Sequence, residues 1–160
     1  VGSEMCIRDS SQRDGLLVSV GTVLTAEDAH AAIDAGASCL VSPVLGTEVG
    51  EVAAQRDVAW MPGIATPTEA YAAHQAGAPL QKIFPMPGIG AAWVKAVRGP
   101  MPFLNLVPTH GVHENNAASF LKAGAHAVGF VQSVFDPNDI AERRWQKIKE
   151  RAEKALASVR

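Results

Sequence analysis

The ten residues Ala76-Gly77-Ala78-Pro79-Leu80-Gln81-Lys82-Ile83-Phe84-Pro85 hold the end of a helix, a turn and an apolar strand in one run. Glycine between two alanines supplies the left-handed turn that stops a helix, and the strand-like Leu80 to Phe84 follows at once. The same Ala-Gly-Ala closes helical segments at residues 35–37 and 123–125. Apolar runs recur at Leu16 to Val20, Cys39 to Ser42, Val58 to Met61, Leu80 to Phe84, Phe103 to Val107 and His126 to Phe130. Their spacing, roughly 20 to 23 residues, is that of one β-α crossover unit. Between them, Thr25-Ala26-Glu27-Asp28 opens a helix with a capping-box-like pattern, and Thr66-Pro67-Thr68-Glu69 opens another with proline at the first helical position. Strands alternating with helices predict a parallel sheet. The chain therefore reads as α/β, a (β/α)8 barrel of the TIM type that is incomplete, with about six of eight units present. An open doubly wound sheet is the competing topology, but no Gly-x-Gly-x-x-Gly turn follows the first strand.

At 160 residues, 48% hydrophobic and 19% charged, the chain is long enough for one ordinary domain with a real core. Its net charge of −2 is spread along the chain, apart from a basic-rich C-terminal helix, so neither nucleic acid nor a membrane surface is an expected partner. No apolar run approaches the length needed to span a bilayer. Cys6 and Cys39 make neither a disulfide framework nor a metal-ligand spacing, which suits a reducing cytoplasm. Val1 to Ser10 show no strand or helix periodicity, no methionine at position 1 and no signal-peptide core. They are expected to be a non-native or unstructured leader. Residues 11–160 are expected to form a single partial barrel domain whose first two units lie upstream.

Lys82 is the chemically informative residue of the opening stretch. Five of the six lysines lie in segments with helical spacing, where the ammonium reaches water along the surface, whereas Lys82 lies in an apolar strand. Desolvation lowers the pKa of such an amine and frees the neutral nucleophile that Schiff-base chemistry uses. A lysine closing a short edge strand, solvated or paired with a carboxylate, has the same local pattern. In parallel barrels the functional groups gather at the C-terminal strand ends. Those ends are Gly21-Thr22, Ser42-Pro43, Pro62-Gly63, Lys82 to Pro85, and Pro108-Thr109-His110-Gly111. Strand alternation puts Phe84 on the face of Lys82. Thr22 and Thr109 offer hydroxyls that suit either a substrate oxygen or a helix cap.

Taken with Gly21-Thr22-Val23-Leu24, Pro62-Gly63-Ile64-Ala65-Thr66, Gly99-Pro100-Met101-Pro102 and Pro108-Thr109-His110-Gly111-Val112, these segments make the chain resemble the 2-keto-3-deoxy-6-phosphogluconate / 4-hydroxy-2-oxoglutarate aldolase family over residues 16–155. The resemblance implies a cytoplasmic, homotrimeric class I aldolase that needs no metal or other cofactor. Its small-molecule keto-acid substrate is cleaved to pyruvate and an aldehyde. Lys82 is implied as the imine-forming residue, with Thr22, Pro43, Phe84 and Thr109 around the pyruvyl group.

Two departures stand out. The family's glutamate general acid/base and its carboxylate-binding arginine are expected on an early strand ahead of these residues. Glu69 lies near a strand end, but its place three residues after Thr66 fits helix capping. The family also presents adjacent glycines after Pro-Thr and a Gly-Gly-Ser turn after the last strand. Here those stretches read Thr109-His110-Gly111 and Gly129-Phe130-Val131, with Ser133 the nearest serine. His110, Gly111 and Ser133 are therefore the candidates for the distal end of the substrate. Both a 2-keto-3-deoxy-6-phosphogluconate and a 4-hydroxy-2-oxoglutarate type of substrate stay open, and the altered loops give the non-phosphorylated type more weight than in a standard member. His110 also fits a loop histidine facing water, and His113 a helix start. A non-catalytic barrel remnant or assembly subunit, and a phosphosugar isomerase on the same fold, are the competing readings. Trp60 and Trp93 are expected in core or subunit contacts. The amphipathic run from Ile140 to Arg160 is expected to pack the final barrel helix through Trp145, Ile148 and Leu156.

Overall fold

Two helices of the repeat start at side-chain caps and three stop at glycine turns, as their local sequences dictate. The computed structural model describes residues 4–160. Helix α2 (Ala26–Asp34) begins where the Thr25 hydroxyl accepts the Asp28 N–H at 3.1 Å. Helix α4 (Pro67–Gln75) has a complete capping box: the Thr66 hydroxyl accepts from the Glu69 N–H at 3.2 Å, and the Glu69 carboxylate accepts from the Thr66 N–H at 2.9 Å. All three Ala-Gly-Ala stops are Schellman turns. Gly36, Gly77 and Gly124 take φ of 104°, 84° and 101°. The following alanine reaches back five residues in each case, Ala37 to Ala32, Ala78 to Ala73 and Ala125 to Phe120, at 3.0 Å.

The chain divides into two compact units, residues 1–82 and 83–160. In the first, α1 (Glu4–Ser11) is followed by β1 (Ser19–Gly21), α2, β2 (Cys39–Val41), α3 (Thr47–Gln55), β3 (Ala59–Met61), β4 (Gly63–Ile64) and α4. Strands β1, β2 and β3 pair in that order, parallel, with Val20, Leu40 and Trp60 in register. That row is buried, and with Val23, Ile64, Ala29 and Val49 it forms the core of the unit. Each large apolar side chain so buried contributes about 1.5–3 kcal/mol. A second sheet has the order β4-β5-β6, with β5 at Gln81–Ile83 carrying the division between the units. Pro62 interrupts what would otherwise be one strand from Ala59 to Ile64, because it has no N–H to give to a ladder.

The second unit holds α5 (Ala91–Arg98), β6 (Leu106–Pro108), α6 (Ala117–Lys122), α7 (Pro137–Ala141) and α8 (Trp145–Ala157). Its core is built from Trp93, Val94 and Val97 of α5 with Leu104, Leu106 and Phe120. Trp60 and Trp93 are thus core residues, 3% and 8% exposed.

Four expectations differ from the structure. Residues 4–10 are not structureless: they form most of α1, which packs on α2, buries Ile7 and ends with Ser11 over Gly36. One well-placed isoleucine anchors a helix that has no repeating apolar pattern. Residues 1–3 of the expected leader lie outside the described residues. Phe103 to Asn105 do not join β6, because the Leu104 carbonyl is taken by the Arg98 guanidinium at 2.8 Å. His126 to Phe130 is not a strand. His126 N–H donates to the Leu106 carbonyl at 2.9 Å and Gly129 N–H to that of Pro108 at 2.8 Å, so three residues advance against two. The extra residue is a bulge that breaks the ladder. Last, the Ile140–Arg160 run is broken after α7, and Trp145 and Leu156 of α8 stay more than half exposed. Polar contacts hold α8 instead: Arg151 donates to the Val134 carbonyl at 3.0 Å and, with Arg144, pairs with the buried Asp139.

Candidate active site

In the first unit the parallel register sets Gly21, Val41 and Met61 level, so Thr22, Ser42 and Pro62 stand together just past the C-terminal strand ends. Lys82 joins that edge, its N–H donating to the Pro62 carbonyl at 2.9 Å. Three predicted site residues, Thr22, Pro43 and Lys82, are therefore gathered at one edge of adjacent strands.

Thr22 is exposed and has φ of 62°, a left-handed conformation that a β-branched residue adopts only at a cost of about 1–3 kcal/mol. The cause is local. The chain must turn at Thr22 to return Val23, fully buried, to the core, where its N–H donates to the Val41 carbonyl at 3.2 Å.

Pro43 is set from below. A Cβ on Gly63 would lie 2.1 Å from the Pro43 carbonyl oxygen, so the two backbones approach as closely as they do only because residue 63 has no side chain. Ser42, also buried, accepts a hydrogen bond from the Trp60 indole N–H at 3.3 Å. Trp60 was expected in the core from its size; its hydrogen bond to the residue before Pro43 had no sequence signal.

Lys82 is half-buried, and its neighbours Gln81 and Ile83 face the core on the other side of β5. Gln81 satisfies its buried amide by donating to the Ala78 carbonyl at 2.8 Å. Burial of the Lys82 ammonium pushes its pKa down from the usual 10.5.

In the second unit Phe84, 39% exposed, follows β5, while Thr109, His110 and Gly111 follow β6. The His110 and Phe84 rings meet edge to face with centroids 5.9 Å apart. His110 Nδ1 also accepts the Met86 N–H at 3.3 Å. The Thr109 methyl lies where a side chain on Gly129 would be, 2.9 Å from its Cβ position. The Thr109 hydroxyl is buried without a hydrogen-bond partner, and so is that of Ser133, in the turn four residues past Gly129. An unsatisfied buried hydroxyl costs about 1–3 kcal/mol, which a ligand oxygen would offset. Gly111 takes φ of 72°, and its carbonyl accepts from the Asn116 amide at 2.9 Å, fixing the loop. His113 stands in the turn ahead of α6, its N–H donating to the Asn116 side chain.

Glu69 is committed to the start of α4. N–H groups of Ala65 and Thr66 donate to its carboxylate and, the Ala65 bond foremost, hold its pKa below the usual range. Among the described residues no group of three His, Cys, Asp or Glu side chains is placed to hold a metal ion, and no helix is long and apolar enough to cross a membrane.

A parallel β-α repeat with a half-buried lysine at its strand ends has the architecture of an incomplete TIM-type barrel. More narrowly, the chain belongs to the KDPG and KHG aldolase family, whose profile matches residues 2–151. It is 36% identical over 124 residues to a probable 2-dehydro-3-deoxy-6-phosphogalactonate aldolase of Rhizobium meliloti, covering 77% of this chain and 58% of the relative. It is 32% identical over 135 residues to the 2-dehydro-3-deoxy-6-phosphogalactonate aldolase of Escherichia coli, covering 84% of this chain and 66% of the relative. The chain thus spans less than two thirds of the length of either. Among solved structures, KDPG aldolase from Legionella pneumophila, with pyruvate captured as a covalent carbinolamine, superposes with a TM-score of 0.82. The two are 25% identical, over 97% of this chain and 73% of that one.

Proposed function

We propose that this chain carries the imine-forming lysine of a class I aldolase that cleaves a 2-keto-4-hydroxy acid to pyruvate and an aldehyde. The observation that carries the reading is Lys82 itself: an amine with lowered pKa at the edge where Thr22 and Pro43 also stand. Its lone pair attacks the C2 carbonyl, a proton moves from nitrogen to oxygen, and the carbinolamine hydroxyl, protonated by an acid from solvent, leaves as water to give a protonated imine. When the C4 hydroxyl gives up its proton, the C3–C4 bond pair moves into the imine, the aldehyde departs and an enamine remains. Protonation at C3 and hydrolysis of the imine release pyruvate and restore Lys82. Thr22, Pro43, Phe84 and Thr109 are assigned to the pyruvyl group. Glu69, bound up in its capping box, is not assigned the proton transfers, so this chain alone is expected to turn over slowly.

For the distal end of the substrate we assign His110, Gly111 and Ser133. The post-β6 loop and the turn after Gly129 contain no lysine or arginine from Thr109 to Asn116 or from Gly129 to Asn138. That composition supports a tail recognised by hydroxyl and imidazole groups, hence a non-phosphorylated substrate of the 4-hydroxy-2-oxoglutarate or 2-keto-3-deoxy sugar acid type. The two free thiols, Cys6 and Cys39, support a reducing compartment, so we place the protein in the cytoplasm, and we assign it a homotrimeric assembly.

Borohydride reduction with pyruvate tests the reading. Mass spectrometry is expected to find the reduced adduct on Lys82, absent in Lys82→Arg. The trapping rate should rise with pH about a midpoint below 10.5, because the neutral amine of a desolvated lysine is available earlier. An adduct on another lysine, or none on Lys82, sinks the proposal.

A further inference from the structure

We propose that His110 is a positioning residue, whose neutral ring clips the exit of β5 and holds Phe84 in place as a wall of the keto-acid site. The inference rests on the aldolase reading above only in giving Phe84 a substrate to wall. Two contacts from one ring carry it. Nδ1 accepts the Met86 N–H at 3.3 Å, and the ring meets Phe84 edge to face at a centroid separation of 5.9 Å and an interplanar angle of 82°. A backbone N–H can only donate, so Nδ1 is the unprotonated nitrogen and the ring proton stands on Nε2. The two contacts grip residues 84 and 86, which flank Pro85 and lead out of the strand that bears Lys82.

Phe84 is 39% exposed, so part of its ring faces solvent. Met86 lies in an irregular stretch between β5 and α5, without a strand or helix partner for its N–H. His110 therefore replaces with a side chain what regular structure does elsewhere on the backbone. Glycine at this position, the pattern the family presents, has no ring to make either contact. Both neighbouring residues are also suited to the role: Thr109 is pinned against Gly129, and the Gly111 carbonyl is fixed by Asn116. The base of the histidine is anchored on both sides, so its ring is a fixed post rather than a mobile tail.

The test uses the whole chain and two variants. His110→Ala removes both contacts; His110→Asn keeps an acceptor where Nδ1 stands and removes only the ring. His110→Ala is expected to raise the pyruvate concentration for half-maximal borohydride trapping at Lys82 by about tenfold while changing the limiting rate by less than about twofold. His110→Asn should recover part of that loss. Independently of any reaction, nitrogen-15 NMR of the wild type should show His110 as the Nε2–H tautomer, and the Met86 amide proton should move upfield in His110→Ala and return in His110→Asn. An Nδ1–H tautomer overturns the proposal, as does a Met86 amide or a pyruvate dependence indifferent to His110→Ala. If the wild type forms no adduct at all, the aldolase reading fails, and the NMR comparison still decides the clip.

Discussion

Gly63→Ala is the sharpest perturbation of the strand-end edge. The added methyl would stand 2.1 Å from the Pro43 oxygen, 2.3 Å from its carbonyl carbon and 2.9 Å from the Val44 nitrogen. All three are backbone atoms, so no rotamer change relieves the clash. Reaching an ordinary contact of 3.4 Å from 2.1 Å requires a shift of about 1.3 Å. Neither side yields easily. Ser42 N–H is tied to the Met61 carbonyl at 3.2 Å, and Gly63 sits between buried Ile64 and Pro62, whose carbonyl holds Lys82 N–H. Overpacking against such supports costs about 3 kcal/mol, the upper part of the usual range. That is roughly a 150-fold loss in the folding constant. With a urea m-value of about 2 kcal/mol/M, the midpoint should fall by about 1.5 M. Gly88→Ala, which meets nothing within 4 Å and has no positive φ, is the control and should leave the midpoint in place. Under native conditions Gly63→Ala should also weaken pyruvate trapping at Lys82, because Pro43 must move. A midpoint within about 0.3 M of wild type would refute the close-approach reasoning.

Three further outcomes follow from the same structure. Thr22→Gly releases the strain at φ 62° and should raise stability by about 1 kcal/mol in a thermal melt, while weakening pyruvate trapping through the lost hydroxyl. Asp57, at φ 52°, ends α3 with the same reach-back as the glycine stops, Val58 N–H to the Ala53 carbonyl at 2.9 Å; Asp57→Gly should stabilise by about 0.5 kcal/mol, read as a small rise in Tm. Asp139 is held below the ordinary carboxylate value of 3.8, first by Arg151 and then by Arg144. Its stabilisation is complete above that unfolded-state value and drains away as pH falls through the lower folded one. Asp139→Asn should therefore melt several degrees lower at neutral pH, and its helical circular dichroism should lose part of the wild type's acid transition.

How much was legible depends on how local each signal is. The caps at Thr25 and Thr66 and the Ala-Gly-Ala stops were readable because their hydrogen bonds close within six residues. Lys82 was readable because a charge in an apolar strand is conspicuous whatever surrounds it. The His126–Phe130 segment misled because its composition is strand-like, while its bulge exists only relative to β6. Trp145 and Leu156 misled because helical spacing says where an apolar face points, and not that anything covers it. Ile7 went unread for the opposite reason: a single buried side chain leaves no periodicity.

The amino-acid order alone marked the alternation of strand and helix, the caps of α2 and α4, the glycine stops after α2, α4 and α6, and Lys82 as the one lysine set in an apolar strand. These follow from backbone geometry and side-chain hydration over a few neighbours. Only the tertiary structure decided that Gly63 sets Pro43, that Trp60 reaches Ser42, that Thr22 is strained to seat Val23 and that His110 grips Phe84 and Met86. Each of those joins atoms brought together by folding, and a contact between residues 18 or more apart leaves no mark on either stretch of sequence by itself.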